Sequence, residues 1–97
     1  MSYRKDYLVE ERPHYIGDGV QRLYRFPNGY GASVVRFTIN GLPASYGAED
    51  GLWELAVLKW NENSFSITYE TSITDDVIGH LSEDEVQSTL EKIRGLQ

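Results

Sequence analysis

The side chains able to do chemistry in this chain are few. His14 and His80 are its two histidines, and they stand far apart in sequence. A catalytic or ligating histidine is expected to stand in a recognisable spacing with a nucleophile or a second ligand. Neither does, and no nucleophile-elbow motif is present. His80 lies just ahead of an expected helix, where a surface histidine could cap or titrate. The carboxylates Asp75, Asp76, Glu83, Asp84 and Glu85 gather toward the C-terminal end. Their spacing does not match a calcium loop, which needs ligands at alternate positions around a glycine. Two of them follow Thr74 and three occupy the first turn after Ser82, so helix capping and the helix dipole account for both groups. The remaining reading of Asp75, Asp76, Glu83 and Asp84 is an acidic interaction face. The chain has no cysteine, so neither a disulfide framework nor a thiolate zinc site can form. No metal and no cofactor is expected.

Two tyrosines sit beside glycines in short glycine-bracketed segments. Gly29-Tyr30-Gly31 is no phosphate loop, because the residues after it read as a strand, and a phosphate loop needs the N-terminus of a helix. It reads as a tight reversal, with Pro27 pre-setting φ and Asn28-Gly29 supplying positive φ, or as a recognition loop. Tyr46 opens the second such segment, followed by Glu49, Asp50 and Trp53. If the two segments pack together, Tyr30, Tyr46, Glu49 and Asp50 form a mixed patch suited to a protein or small-ligand contact. Arg25 and Arg36 lie on either side of the 27–31 reversal. In a nucleotide-binding reading they would meet a phosphate while the tyrosines stack on a base. Trp53 and Trp60 are expected in the core.

These residues need a sheet to hold them. The spacing predicts strands over 20–26, 32–39, 52–60 and 64–71, with a weaker one over 3–9 and an irregular stretch over 10–14. Val20, Tyr24 and Phe26 share a face, as do Val35, Phe37 and Ile39. Residues 20–39 form a hairpin. Residues 40–51 read as a long irregular loop, a length that is often functional. The 52–60 segment is apolar on both faces, as a central strand should be. In 64–71, Phe65, Ile67 and Tyr69 are expected to point inward. Residues 82–94 carry the signature of a helix: Ser82 and Glu85 form a capping box, and Leu81 and Val86 have the spacing of a hydrophobic staple. Val86, Leu90 and Ile93 make one apolar stripe, Lys92 and Arg94 complement the dipole, and Gly95 suits the end. Residues 74–79 are expected to form one helical turn capped by Thr74. The predicted fold is α+β, an antiparallel sheet of four to five strands with one C-terminal helix on one face.

Length and composition agree with one small globular domain over 1–97. A chain of this size buries roughly 60–65% of its unfolded surface. Apolar residues make up 40% and aromatics 12%, a folded composition. The net charge is −6, and it is uneven. Residues 1–40 carry six basic and four acidic side chains, residues 41–97 three basic and eleven acidic. That balance disfavours direct nucleic-acid binding. No apolar run is long enough to span a membrane, and the first residues lack the apolar segment of a signal peptide. A cytoplasmic protein is expected.

Three segments carry a resemblance: 27–36 (PNGYGASVVR), 45–57 (SYGAEDGLWELAV) and 73–79 (ITDDVIG) with Leu81. Together they resemble a group of small uncharacterised proteins encoded by tailed bacteriophages. The likeness spans most of 26–93 and carries no catalytic residue. It implies a soluble accessory protein made in a bacterial cytoplasm and aimed at a host factor. The expected function is therefore non-enzymatic: contact with, and inhibition of, a host or phage protein, with the acidic face mimicking nucleic acid. The alternatives are a small-ligand or nucleotide-signal binding protein and a structural or assembly accessory protein. A homodimer is compatible with the sequence.

Overall fold

A computed structural model describes residues 7–14, 17–74 and 76–96. Among the described residues it is an antiparallel α+β fold: a sheet of seven strands with one C-terminal helix packed on one face. The main path of the sheet is β1 (Leu8–Pro13), β2 (Asp18–Arg25), β3 (Tyr30–Ile39), β5 (Trp53–Asn61) and β6 (Ser64–Ile67). The two-residue β4 (Leu42–Pro43) pairs with β3, and β7 (Ile78–Leu81) pairs with β5. Helix α1 covers Glu83–Arg94. The sheet is thus larger than the four to five strands expected, and the extra strands are those with little local signal.

The alternation read in the sequence sorts the two faces. Tyr24, Phe26, Ala32, Val34, Trp53, Leu55 and Val57 meet Leu81, Val86, Leu90 and Ile93 in one buried cluster. The register puts Ala32 opposite Val57 and Val34 opposite Leu55, so each rung presents apolar side chains to the helix. The helix itself follows its caps. Ser82 accepts from the Glu85 N–H at 3.2 Å and Glu85 returns the bond to the Ser82 N–H at 3.0 Å. Arg22 holds the first turn from the sheet, donating to both oxygens of Glu83 at 3.0 and 3.1 Å. Asn28, in the β2–β3 turn, reaches the other end. Its Nδ2 lies 2.9–3.0 Å from the carbonyl oxygens of Ile93, Arg94 and Leu96. The Ile93 carbonyl also accepts from the Leu96 N–H at 3.1 Å, and Gly95 stays at φ −84°. The end is therefore capped by a side chain from the sheet rather than by a left-handed glycine.

Four expectations are corrected. Residues 10–13 are not irregular but part of β1, which pairs with β2 from Leu8 opposite Tyr24 to Pro13 opposite Val20. An edge strand tolerates a polar sequence and a terminal proline because one row of its backbone groups has no partner. The fourth expected strand ends at Ile67 rather than 71, and Phe65, Ile67 and Tyr69 are 38%, 48% and 49% exposed. The helical turn expected over 74–79 is not formed by the described residues of that stretch. Thr74 Oγ1 accepts from the Asp76 N–H at 3.1 Å, Asp76 accepts from the Val77 N–H at 2.7 Å, and the chain then enters β7. The 40–51 segment is also less irregular than its composition implies, holding β4 and a 3-10 turn at Ala48–Asp50.

Candidate functional site

The nominated residues do not come together. Tyr30 begins β3 opposite Lys59, whose Nζ lies 4.2 Å from the ring centroid, and it packs half-buried against the core. Tyr46 lies toward the other end of β5, where its N–H contacts Glu54 at 3.4 Å and its ring stacks over His80. Five residues of strand separate these levels, about 17 Å, so the mixed patch is not assembled. Gly31 is small for a different reason than recognition. A Cβ there would collide with the Tyr24 carbonyl oxygen and with the Trp60 indole nitrogen, which donates to that oxygen at 2.9 Å.

The arginines are parted as well. Arg25 pairs with Gly31 and Arg36 with Val20, five residues apart and, by strand alternation, on opposite faces. Arg25 lies over Trp60 at 5.1 Å; Arg36 lies over Trp53 at 4.3 Å and donates to the Gly51 carbonyl at 2.8 Å. One phosphate cannot meet both. Among the nominated acids, Asp75 lies outside the described residues. Glu49 and Asp50 are exposed on the 3-10 turn. Asp84 is exposed in the first helical turn, and Glu83 is tied to Arg22. Among the described residues, no three histidines or acids gather where they could hold a metal.

What the fold does build is a groove on the face opposite the helix, and its lining contains none of the nominated residues. The odd residues of β2 and β3 and the even residues of β5 point to this face. Val35, Ala56 and Leu58 form its buried floor. Two adjoining cavities, about 320 and 220 Å³, lie along it and share Gln21, Ser33 and Ile67. The larger is bounded by Arg12 from β1 and by Phe65 from β6. Those strands are the two edges of the main path, roughly 19 Å apart if the sheet were flat. Their meeting across one cavity shows that the sheet is strongly curled. The smaller cavity adds His14, Phe37, Glu54 and Val77.

The polar groups of the groove are ordered. Arg12 Nε donates to Gln21 Oε1 at 3.0 Å, and Gln21 Nε2 donates to Ser33 Oγ at 2.9 Å. Because the guanidinium only donates, the orientation of the Gln21 amide is fixed. His14 stacks on Phe37, with ring centroids 3.5 Å apart and planes within 8°, and its Nδ1 accepts from the Gly17 N–H at 3.4 Å. Burial, with the Arg12 charge second, holds its pKa below the usual imidazole value. Burial pushes the Glu54 carboxyl above its ordinary value; the Tyr46 N–H opposes the shift and the charge of Asp76 adds to it. Both groups are thus displaced toward their neutral forms at one end of one cavity.

The sequence held a partial sign of this site. Beside the apolar set Val20, Tyr24 and Phe26, the other face of β2 reads Gln21, Leu23, Arg25, and that of β3 reads Ser33, Val35, Phe37. A fully wet face would be uniformly polar; this mixed one signals partial cover. Comparison with known proteins adds no relative: no protein-family model, no curated protein and no solved structure matches the chain.

Proposed function

We propose that this chain is a binding protein, of the kind that tailed phages encode as accessory gene products, and that its site is the groove on the open face of the sheet. The observation that carries the reading is the pair of adjoining cavities over one apolar floor, with Arg12, Ser33, His14 and Glu54 converging on them. Concave, mostly apolar pockets with a few placed polar groups suit small amphipathic ligands. Perturbed carboxyl and imidazole groups in such a pocket point the same way. A catalytic role has less support. The hydrogen bond on Ser33 Oγ comes from an amide, which cannot take up a proton, so this hydroxyl is not activated as a nucleophile.

A backbone amide NMR titration of the full chain with a library of small aromatic and aliphatic compounds tests the reading. Binding is expected to shift the amides of Ser33, Ala56 and Ile67. Ala56→Leu, which fills the floor, should abolish the shifts while the chain stays folded. Shifts confined to Tyr30 or Tyr46, or none at all, would sink it.

Contact with a host or phage protein is the second reading. One observation favours it: Ile39, Leu42 and Tyr46 expose 41%, 70% and 61% of their surface near the β3–β4 reversal. The acidic-mimic form of that reading is weaker, because Glu83 is engaged by Arg22.

A further inference from the structure

We infer that the groove takes a carboxylate carried on an apolar chain or ring, with the carboxylate at Ser33 and Arg12 and the apolar body over Ala56, Leu58 and Ile67. The inference rests on the groove being the binding site and names the class of molecule it selects.

The polarity follows from the chain of hydrogen bonds across the floor. Arg12 donates to Gln21, and Gln21 donates to Ser33. Each bond runs in one direction, away from the guanidinium. Gln21 has its oxygen on Arg12 and its nitrogen on Ser33, so reversing the amide would set NH₂ against a cation. The lone pair of Ser33 that faces Gln21 is occupied, and what the hydroxyl has left to give is its proton. Among the described residues the Ser33 hydroxyl donates no hydrogen bond; its one bond is the one it accepts from Gln21. Ser33 is 9% exposed and borders both cavities. A buried donor without an acceptor costs free energy that a ligand oxygen would recover.

Charge adds to this. Arg12 borders the larger cavity, and no acidic side chain lines it; the rest of its wall is Leu58, Phe65 and Ile67. A charge-assisted bond from a guanidinium to a carboxylate is stronger than a neutral one, although the Arg12 side chain is 38% exposed and water screens it in part. Glu10 accepts from Arg12 Nη1 at 3.3 Å, but both side chains of that pair are well exposed, so the contact competes only weakly. An ammonium group in the same place would face a cation and a hydroxyl proton. Glu54, the acid of the groove, borders the smaller cavity, so an anionic head is directed away from it and the apolar body toward Ala56 and Val77. The net charge of −6 slows the approach of an anion rather than choosing its seat. A volume near 320 Å³ equals that of about ten waters in the liquid, room for a body of roughly eight carbons.

The test is a backbone amide NMR titration of the full chain near neutral pH with octanoate, octanol and octylamine. Octanoate is expected to bind tightest and octylamine weakest, with shifts at Ser33, Ala56 and Ile67. Arg12→Gln and Ser33→Ala are each expected to weaken octanoate about tenfold, or about 1.4 kcal/mol; Arg12→Gln should leave octanol unchanged, and Ser33→Ala should weaken octanol less than octanoate, since the octanol oxygen also accepts. Octylamine binding as tightly as octanoate, or Arg12→Gln without effect on octanoate, would overturn the carboxylate assignment while the groove remained a site. Failure of all three compounds to shift these amides would overturn the groove itself. Octanol titrated into each variant reports that the floor is intact, so a misfolded variant is recognised.

Discussion

Asn28 shows how much a single side chain can join. From a turn, it accepts from the Tyr30 N–H at 3.0 Å and sets its nitrogen against three carbonyls at the helix end. A primary amide has two protons, so at least one of the three contacts is shared. Asn28→Ala should cost about 1 kcal/mol, because the carbonyls of Ile93, Arg94 and Leu96 lose a donor at a site that water partly reaches. Asn28→Asp should cost more. It keeps the acceptor for Tyr30 but brings a negative charge to the negative end of the helix dipole. Urea denaturation of the two variants ranks them; equal loss would mean that the Nδ2 contacts contribute nothing. The sequence marked Asn28 as a turn residue and could say no more, since its helix partners lie 65, 66 and 68 positions away. Tyr30 and Tyr46 failed as a pair for the converse reason. Glycines around an aromatic record a close backbone approach somewhere, and Gly31 is small because of Trp60 and Tyr24.

Among the elements, the helix was the most legible. Its capping box, staple and apolar stripe are all local in sequence, and each is present. Ser82→Ala should cost about 1 kcal/mol through loss of the N-cap. Leu90→Ala should cost about 2–5 kcal/mol, since Leu90 is fully buried against the sheet. Thermal or urea unfolding compares them, and equal tolerance would mean that the helix face is not part of the core. β3 and β5 were legible for a similar reason, since alternation or a continuous apolar run is itself a local signal. β1 and β7 were not. Glu10, Glu11 and Arg12 carry no apolar pattern and become a strand through Leu23, Arg22 and Gln21. β7 is four residues long, contains His80 at φ 57°, and is fixed by Trp53 and Leu55. The groove was illegible for the same cause. His14, Gln21, Ser33 and Glu54 are ordinary polar residues until register and curl bring them to one face.

For the molecule as a whole, the groove makes stability depend on pH in two opposed ways. His14 has a pKa lowered from its ordinary 6.5. Below that value the unfolded chain takes up the proton first, so stability falls as pH falls through the folded-state pKa. Glu54 has a pKa raised from its ordinary 4.5. Above that value the unfolded chain loses the proton first, so stability falls as pH rises through the folded-state pKa. Between about pH 4.5 and pH 7 the two slopes oppose each other. Glu54→Gln should therefore make the gain in stability from the lower to the higher pH larger than in the parent, and His14→Gln should make it smaller. Urea midpoints at the two pH values check both signs. Parallel profiles for the three proteins would mean that neither group titrates differently on folding. No helix among the described residues is long and apolar enough to cross a membrane.

The way β6 and β7 divide one side of β5 bears on where this chain could be cut. β6 takes Leu58–Asn61 and β7 takes Trp53 and Leu55, while the segment between them runs outside the sheet past exposed Tyr69, Glu70 and Ser72. A protease entering there would sever no rung of the ladder. The N-terminal piece would keep β1 to β6 and the groove apart from Val77; the other would keep β7 and the helix. Neither piece could hide its apolar surface alone, because Trp53, Leu55 and Val57 are sealed by Leu81, Val86, Leu90 and Ile93. Arg22 with Glu83 and Asn28 with the helix end would draw the pieces into the same alignment. The intact protein is in effect such a heterodimer already, joined by a peptide tether, and the tether is the natural place for an insertion.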